Sequence, residues 1–146
     1  MSGISGVYGG ISKRKKMASS WLEVDKAKEE CRHELVLTGD AVATRIAEGG
    51  LDERIFALTA LNFLEISRCG LAELPRGVAQ LTGLSNLVLH DNRLGAVPDE
   101  IGQLSRLKFL DLSCNELEFL PPTIGQLCEL QVDSACHSQF SLWFWF

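Results

Sequence analysis

The chain reads L-N-F-L-E-I-S-R-C-G-L-A-E-L-P-R-G-V-A-Q-L-T-G at residues 61–83, and this unit recurs twice without insertion or deletion. The second copy is L-S-N-L-V-L-H-D-N-R-L-G-A-V-P-D-E-I-G-Q-L-S-R (84–106), and the third is L-K-F-L-D-L-S-C-N-E-L-E-F-L-P-P-T-I-G-Q-L-C-E (107–129). Positions 1, 4, 6, 11, 14, 18 and 21 hold only Leu, Ile or Val in every copy. Position 15 is always proline: Pro75, Pro98 and Pro121. A hydrophobic pattern with a fixed period predicts a stack of equivalent structural units.

The front half of each copy follows L-x-x-L-x-L-x-x-N/C-x-L, the pattern of a leucine-rich repeat. Apolar residues at positions 4 and 6 point to one side of a short strand, and the residues between them point to the other. One strand cannot bury its apolar side alone, so the copies are expected to stack with their strands parallel. The predicted fold class is therefore α/β: a leucine-rich repeat solenoid with a short parallel sheet on the concave face. The prolines favour an irregular or 3-10 convex side.

Position 9 holds a small polar side chain in each copy: Cys69, Asn92 and Asn115. A buried asparagine amide both donates and accepts, so it can bond backbone groups of adjacent turns, for which cysteine is a weaker substitute. We interpret these three residues as a structural ladder inside the array.

Residues 19–60 are interpreted as a helical cap and a degenerate repeat. Ser20-x-x-Glu23 is a capping-box pattern and predicts a helix to about Leu37. Its apolar residues recur at helical spacing: Trp21, Val24, Ala27, Cys31 and Leu35. A second helix is expected over Asp40–Glu48, ending at two glycines.

The degenerate repeat is recognised by its spacing to the first intact copy. Its aliphatic residues lie one repeat length before Leu74, Val78 and Leu81, at Leu51, Ile55 and Leu58. We therefore expect residues 51–60 to form the back half of a degenerate repeat, without a consensus strand before it.

Both ends of the chain depart from this organisation. Residues 1–18 are rich in Gly and Ser and include four consecutive basic residues at 13–16, which predicts a disordered basic arm. A nuclear-import or nucleic-acid patch is the alternative reading of that cluster. Residues 130–146 start a fourth repeat that loses its pattern after Gln131 and ends in Trp-Phe-Trp-Phe. We expect a truncated repeat followed by an anomalous aromatic tail, which arises from an alternative transcript or a mispredicted exon. The alternative is an aromatic tail with a function of its own.

Composition and charge narrow the classes of function that this chain can have. The formal net charge is −5, and the basic cluster at 13–16 makes the rest of the chain more acidic still. An acidic array argues against direct binding of nucleic acid or an anionic membrane. The five cysteines form no C-x-x-C pair, and no apolar signal segment opens the chain, so a cytoplasmic location is expected. No zinc spacing, nucleophile constellation or phosphate loop is present. We expect no enzyme activity, metal or cofactor.

The outward strand positions are the candidate partner-binding residues, since they alternate with the core positions. They form a mixed apolar and acidic stripe that suits a protein partner. The predicted contact residues are Phe63, Glu65, Arg68, Asn86, Val88, His90, Asp91, Phe109 and Asp111.

Three segments carry a resemblance to a narrower family. They are S-W-L-E-V-D-K-A-K-E-E-C-R-H-E-L-V-L-T-G (20–39), A-E-G-G-L-D-E-R-I-F-A-L (47–58) and L-N-F-L-E-I-S-R-C-G (61–70). They resemble the start of the leucine-rich repeat-containing protein 47 family, over residues 19–131. In that family a domain similar to the B3/B4 domain of the phenylalanyl-tRNA synthetase β-subunit follows the repeats. The resemblance therefore implies that this chain is a truncated form without the domain linked to RNA.

Three functions follow from these observations. The first is a non-catalytic intracellular module that binds a protein partner through its concave face. The second, implied by the resemblance, is an RNA-binding, translation-associated protein whose activity needs sequence beyond residue 131. The third is a signalling scaffold for a small GTPase or phosphatase, in which charge reversal at Glu65 and Asp111 abolishes partner capture.

Overall fold

A computed structural model of the chain describes residues 21–131. Four parallel strands form one sheet in chain order, and each is followed by a 3-10 turn on the opposite side of the coil. The strands are β1 (Glu34–Thr38), β2 (Phe63–Ser67), β3 (Asn86–Val88) and β4 (Phe109–Asp111). The 3-10 turns are Glu53–Ala57, Arg76–Gln80, Asp99–Gln103 and Pro122–Gln126. The predicted leucine-rich repeat solenoid is confirmed.

The repeat register is kept across the sheet. Leu64 pairs with Leu87, and Leu87 pairs with Leu110, so the same position of consecutive repeats is aligned. The backbone at position 2 is also linked between coils, since the Lys108 amide donates to the Ser85 carbonyl at 2.8 Å. The Gln131 amide donates to the Lys108 carbonyl in the same way, so the register continues to the last described residue.

The regular recurrence of proline has a direct backbone cause. Pro75, Pro98 and Pro121 each precede a 3-10 turn with φ between −63° and −68° and an extended ψ. The pyrrolidine ring already holds φ near this value, so the proline directs the chain into the turn at little entropic cost. Its carbonyl accepts the first bond of the turn, as in Val78 to Pro75 at 3.2 Å.

The N-terminal region differs from the prediction. The first helix, α1 (Leu22–Glu29), ends well before Leu37. Cys31 takes a left-handed φ of 48°, and the Arg32 amide donates back to the Ala27 carbonyl at 2.9 Å. This is the hydrogen-bonding pattern of a Schellman motif, which usually has glycine at the position of Cys31. The predicted helix to Leu37 was therefore wrong because its stop residue is an atypical one.

The helix start also differs from the expected capping box. Trp21 stands at the N-cap without a side-chain cap bond, and Glu23 pairs with Arg45 instead. Ser20 lies outside the described residues. The second helix, α2 (Asp40–Gly49), matches its predicted bounds to within one residue.

The segment after α1 is a strand, although it was expected to continue the first helix to about Leu37. β1 pairs with β2 along its whole length, with Leu35 opposite Leu64 and Leu37 opposite Ile66. The first coil therefore has its own strand, which the consensus pattern of the repeats did not predict. This coil is longer than the others, because it holds α2 between its strand and its 3-10 turn.

One continuous core runs through the coils. Leu64 and Leu87 are fully buried at one strand position, and Leu37 and Ile66 are fully buried at another. Trp21, Val24 and Ala27 of the α1 segment belong to the same core. In the last described coil Leu107, Leu117 and Leu127 are buried in this core, and four other apolar residues are only partly buried against it: Leu110, Leu112, Leu120 and Ile124. The predicted basic arm (1–18) and aromatic tail (132–146) lie outside the described residues.

Candidate protein-binding face

The outward side chains of the four strands form three rows across the sheet, here called the sheet face. The first row contains Glu34, Phe63, Asn86 and Phe109. The second row contains Val36, Glu65, Val88 and Asp111. In the third row Thr38 pairs with Ser67, and His90 and Ser113 stand at the equivalent position 7 of the later repeats. The parallel register thus brings together side chains that are a whole coil apart in sequence.

Acidic and apolar groups alternate along the second row. Val36 is 48% exposed, and the half-buried Glu65, Val88 and Asp111 follow it on successive strands. Phe63 and Phe109 are also half-buried in the neighbouring row. An apolar surface of this kind with carboxylates inside it gives a partner both contact area and a charge to match.

Serine side chains hold two of the carboxylates in place. The Ser67 hydroxyl donates to Glu65 Oε1 at 2.7 Å. The amide and the hydroxyl of Ser113 both donate to Asp111 Oδ1, at 2.9 and 2.7 Å. These bonds restrict the rotamers of Glu65 and Asp111, so each carboxylate is held in one orientation on the sheet face.

A polar cluster borders the sheet face just beyond the strands. Asp91 Oδ2 lies 2.9 Å from His90 Nδ1 and 3.4 Å from Arg68 Nε. The hydrogen bond from His90 holds the pKa of Asp91 below its usual value, with smaller contributions from Cys114 and Arg68. Asp91 in turn raises the pKa of the Cys114 thiol, so this exposed cysteine has reduced thiolate character.

The backbone at this border is left-handed in each repeat. Arg68, Asp91 and Cys114 all stand at position 8, with φ of 54°, 54° and 53°. This conformation favours glycine or asparagine and is uncommon for other residues. The turn directs the three side chains to the margin of the sheet face. There Arg68 and Asp91 form an ion pair.

The residues of the structural ladder lie beneath this border. Asn92 is buried; its amide nitrogen donates to the carbonyls of Ile66 at 2.7 Å and Leu89 at 2.9 Å. Its Oδ1 accepts from the amides of Cys69 and Leu71, both at 3.2 Å. Asn92 therefore joins two consecutive coils through their backbones.

Asn115 repeats part of this arrangement one coil later. It donates to the Leu89 carbonyl at 2.9 Å and accepts from the Leu94 amide at 3.1 Å. Cys69 is at position 9 of the first intact repeat. Its thiol lies 2.8 Å from the Ser67 carbonyl and 3.4 Å from the Leu37 carbonyl of the preceding coil. Burial raises the pKa of the Cys69 thiol, which keeps it neutral as a weak donor.

Sequence reasoning missed the residues that β1 adds to the sheet face. Glu34, Val36 and Thr38 are exposed and stand in register with Phe63, Glu65 and Ser67. The available signal was the alternation around Leu35 and Leu37, which are buried as in the later strands. Counting back one repeat length from the core residues of β2 instead reaches alanines within α2, so a fixed period could not find this strand.

A second concave region lies at the N-terminal edge of the sheet. This cleft of about 660 Å³ is lined by α1, by the two residues before β1 and by the start of β1: Glu23, Lys26, Arg32, His33, Glu34, Leu35 and Val36. Across residues 21–131, no three His, Cys, Asp or Glu side chains come together as a metal site. Neither α-helix in that range has the length and apolar character needed to cross a membrane.

Comparison with known proteins agrees with the repeat and the fold. Residues 82–131 match the model of the family described as Leucine rich repeat. The structure is similar to that of the leucine-rich repeat protein LIC12759 of Leptospira interrogans, with a TM-score of 0.59 and 29% identity. That match covers 73% of this chain and 32% of the Leptospira protein.

The fold is also similar to that of an internalin (inlF) from Listeria monocytogenes, with a TM-score of 0.50 and 23% identity. The match covers 56% of this chain and 24% of the internalin. The chain thus spans about a third or less of each of these two solved structures. The repeated pattern, the sheet and the family match together define a leucine-rich repeat solenoid.

Proposed function

We propose that this chain is a non-catalytic interaction module that binds a protein partner through the sheet face. The observation that carries the proposal is the four-strand register, which aligns Phe63, Val88 and Phe109 with the carboxylates of Glu65 and Asp111 on one surface. Leucine-rich repeat domains generally act as protein-interaction modules, since their strands present a continuous row of variable side chains. The contact residues are those predicted above, together with Glu34, Val36 and Thr38 of β1.

We also propose that the array belongs to the leucine-rich repeat-containing protein 47 family and acts in the cytoplasm. The proposal rests on the resemblance of residues 20–70, in which the segment E-L-V-L-T-G (34–39) forms β1 and leads into α2. The four described cysteines are free, in keeping with a reducing compartment.

The test is quantitative capture of partners by the full chain from an extract of its source cells. Phe63→Ala and Phe109→Ala are compared with Phe119→Ala, which removes an aromatic ring that is 62% exposed and lies off the sheet face. We expect a specific set of proteins to be lost with the first two variants and kept with the third, because truncating a central aromatic contact typically weakens binding by about tenfold or more. Equal retention by all three variants would exclude the sheet face as the contact surface.

A further inference from the structure

We infer that the outer edge of β1 binds an extended segment of a partner protein as an added antiparallel strand, with an apolar residue opposite Val36 and a basic residue opposite Glu34. The inference goes beyond the proposed function, because the binding bonds are made by the backbone at one edge of the sheet. It depends on three features of the described residues: the direction of the backbone groups of β1, the cleft beside them and the side chains at the edge.

β1 is an edge strand that pairs with β2 alone. The His33 carbonyl faces β2, since it accepts from the amides of Asn62 and Phe63. Backbone groups alternate in direction along a strand, so the amides and carbonyls of three residues face away from β2: Glu34, Val36 and Thr38. Within residues 21–131 these outward groups have no hydrogen-bond partner. Such a row of open groups is a template on which another strand can pair.

The space beside this edge is open. The cleft of about 660 Å³ at the N-terminal edge of the sheet is lined by α1 on one side and by Glu34, Leu35 and Val36 of β1 on the other. α1 therefore covers the end of the core without closing the backbone edge of β1. A lone extended segment suits this cleft better than a second copy of the chain, because the α1 of that copy would enter the same space together with its β1.

An antiparallel direction satisfies every outward group of the strand. In an antiparallel ladder, two residues of a hydrogen-bonded pair exchange two bonds, since each donates its amide and accepts at its carbonyl. Pairs of this kind at Glu34, Val36 and Thr38 use all the outward amides and carbonyls of β1. A parallel segment makes slanted bonds and pairs slightly less stably. The main-chain bonds give the affinity in this mode of recognition, and the side chains give the specificity.

The exposed side chains at the edge set the register. Val36 is 48% exposed, so an apolar residue opposite it buries apolar surface on both strands. Glu34 is exposed and makes no ion pair within residues 21–131, so a basic residue opposite it forms a cross-strand pair of opposite charge. Lys26 and Arg32 line the same cleft, and the charge of Glu34 therefore sets the register of the segment rather than its affinity. The segment has the pattern apolar-x-basic.

The inference is tested with two peptides of identical composition that differ in the position of one methyl group. Both have the sequence acetyl-Thr-Thr-Val-Thr-Lys-amide, in which Val is placed opposite Val36 and Lys opposite Glu34. One peptide is methylated at the amide nitrogen of its Val, which faces β1, and the other at the next Thr, whose amide faces away. Binding to the full chain is measured by nuclear magnetic resonance titration. We expect methylation at Val to weaken binding by about fivefold or more relative to methylation at Thr, because only the first removes a bond to β1.

Hydrogen exchange of single amides locates the added strand. In the free full chain the amides of Val36 and Thr38 should exchange faster than those of Leu35 and Leu37, which face β2. An excess of the unmethylated peptide should slow the exchange of Val36 and Thr38, because their amides then donate to the peptide. The exchange of Leu35 and Leu37 should not change.

Charge reversal tests the register. The natural chain should prefer the unmethylated peptide to the same peptide ending in Glu by about two- to fivefold, and Glu34→Lys should reverse this preference. Glu73→Lys is the matched control, since Glu73 is exposed and lies outside the sheet face. It makes the same change of charge and should keep the preference of the natural chain.

Several outcomes would overturn the inference. Slow exchange of the Val36 amide in the free full chain would show that the edge is already covered, by a second copy if the exchange rate depends on protein concentration and by the chain itself if it does not. Equal affinity for the two methylated peptides would exclude antiparallel pairing, and an unchanged preference in Glu34→Lys would exclude the register. If the peptides fail these tests while Phe63→Ala still loses its captured protein, the proposed function stands and the edge of β1 is not a binding site.

Discussion

At the scale of single residues, position 9 of the repeat matters most for how the coils are joined. Asn92 bonds backbone groups of its own coil and of the preceding coil, including the carbonyls of Leu89 and Ile66. A thiol cannot fully replace the asparagine amide, and the side chain of Cys69 contacts only two backbone carbonyls. Because backbone polar groups inside a solenoid have no water to bond, each needs such a partner.

We therefore expect Asn92→Ala to lower the free energy of unfolding by about 2–4 kcal/mol, since it leaves buried amides and carbonyls unpaired. The measurement is urea unfolding followed by far-ultraviolet circular dichroism. Asn62→Ala is the control, because the Asn62 side chain is exposed and only its backbone links the coils. A loss in Asn92→Ala no larger than in this control would show that the ladder does not stabilise the array.

At the scale of elements, much of the fold could be predicted because the period is strict from position 61 onward. The three later strands follow from apolar residues at positions 4 and 6, and their 3-10 turns follow from the prolines. β1 could not be found in this way, since α2 lengthens the first coil and moves Leu35 and Leu37 out of register. The site prediction lacked Glu34, Val36 and Thr38 for the same reason.

The elements of the N-terminal cap are tied together by charged side chains. Arg45 of α2 makes two bonds to the Glu23 carboxylate of α1, at 2.9 and 3.0 Å, and its guanidinium lies 4.7 Å from the ring centre of Trp21. Arg54 bridges Asp25 of α1 and Asp52, both at 2.6 Å. These links hold the helices over the end of the core, next to β1.

The ion pair between Glu23 and Arg45 predicts that the free energy of unfolding depends on pH. The hydrogen bond from Arg45 holds the pKa of Glu23 below its ordinary value of 4.5. A lowered pKa stabilises the folded state above the ordinary value, and this contribution is lost as the pH falls through the pKa of the folded protein. The stability advantage of the natural chain over Glu23→Gln should therefore be present at pH 7 and shrink steadily below pH 4.5.

Urea unfolding at several pH values measures this difference. Glu29→Gln is the control on the same helix, since the exposed Glu29 makes no ion pair within residues 21–131. It should change stability little at pH 7. If the free energy of unfolding of the natural chain exceeds that of Glu23→Gln by the same amount at pH 7 and at pH 3, the Glu23–Arg45 link is contradicted.

At the scale of the whole molecule, the array presents one uninterrupted surface built from four coils. The side chains of β1 widen the predicted face by one strand, and the acidic and apolar residues continue across it. Partner contact on this side leaves the 3-10 turns and the core unchanged, because inward and outward residues alternate along each strand. A solenoid can therefore change its binding specificity without changing its fold.

The two surfaces of the array can be compared directly by chemical footprinting of carboxylates in the partner complex. The full chain is labelled with a water-soluble carbodiimide and an amine, with and without the protein that it captures, and the modified residues are measured by mass spectrometry. Glu34, Glu65 and Asp111 report on the sheet face, and Glu73 and Glu118 are exposed reference sites elsewhere on the array. We predict that the partner protects the first three carboxylates and leaves the two reference sites unchanged. Protection of Glu73 and Glu118 with unchanged labelling of the sheet face would contradict the account.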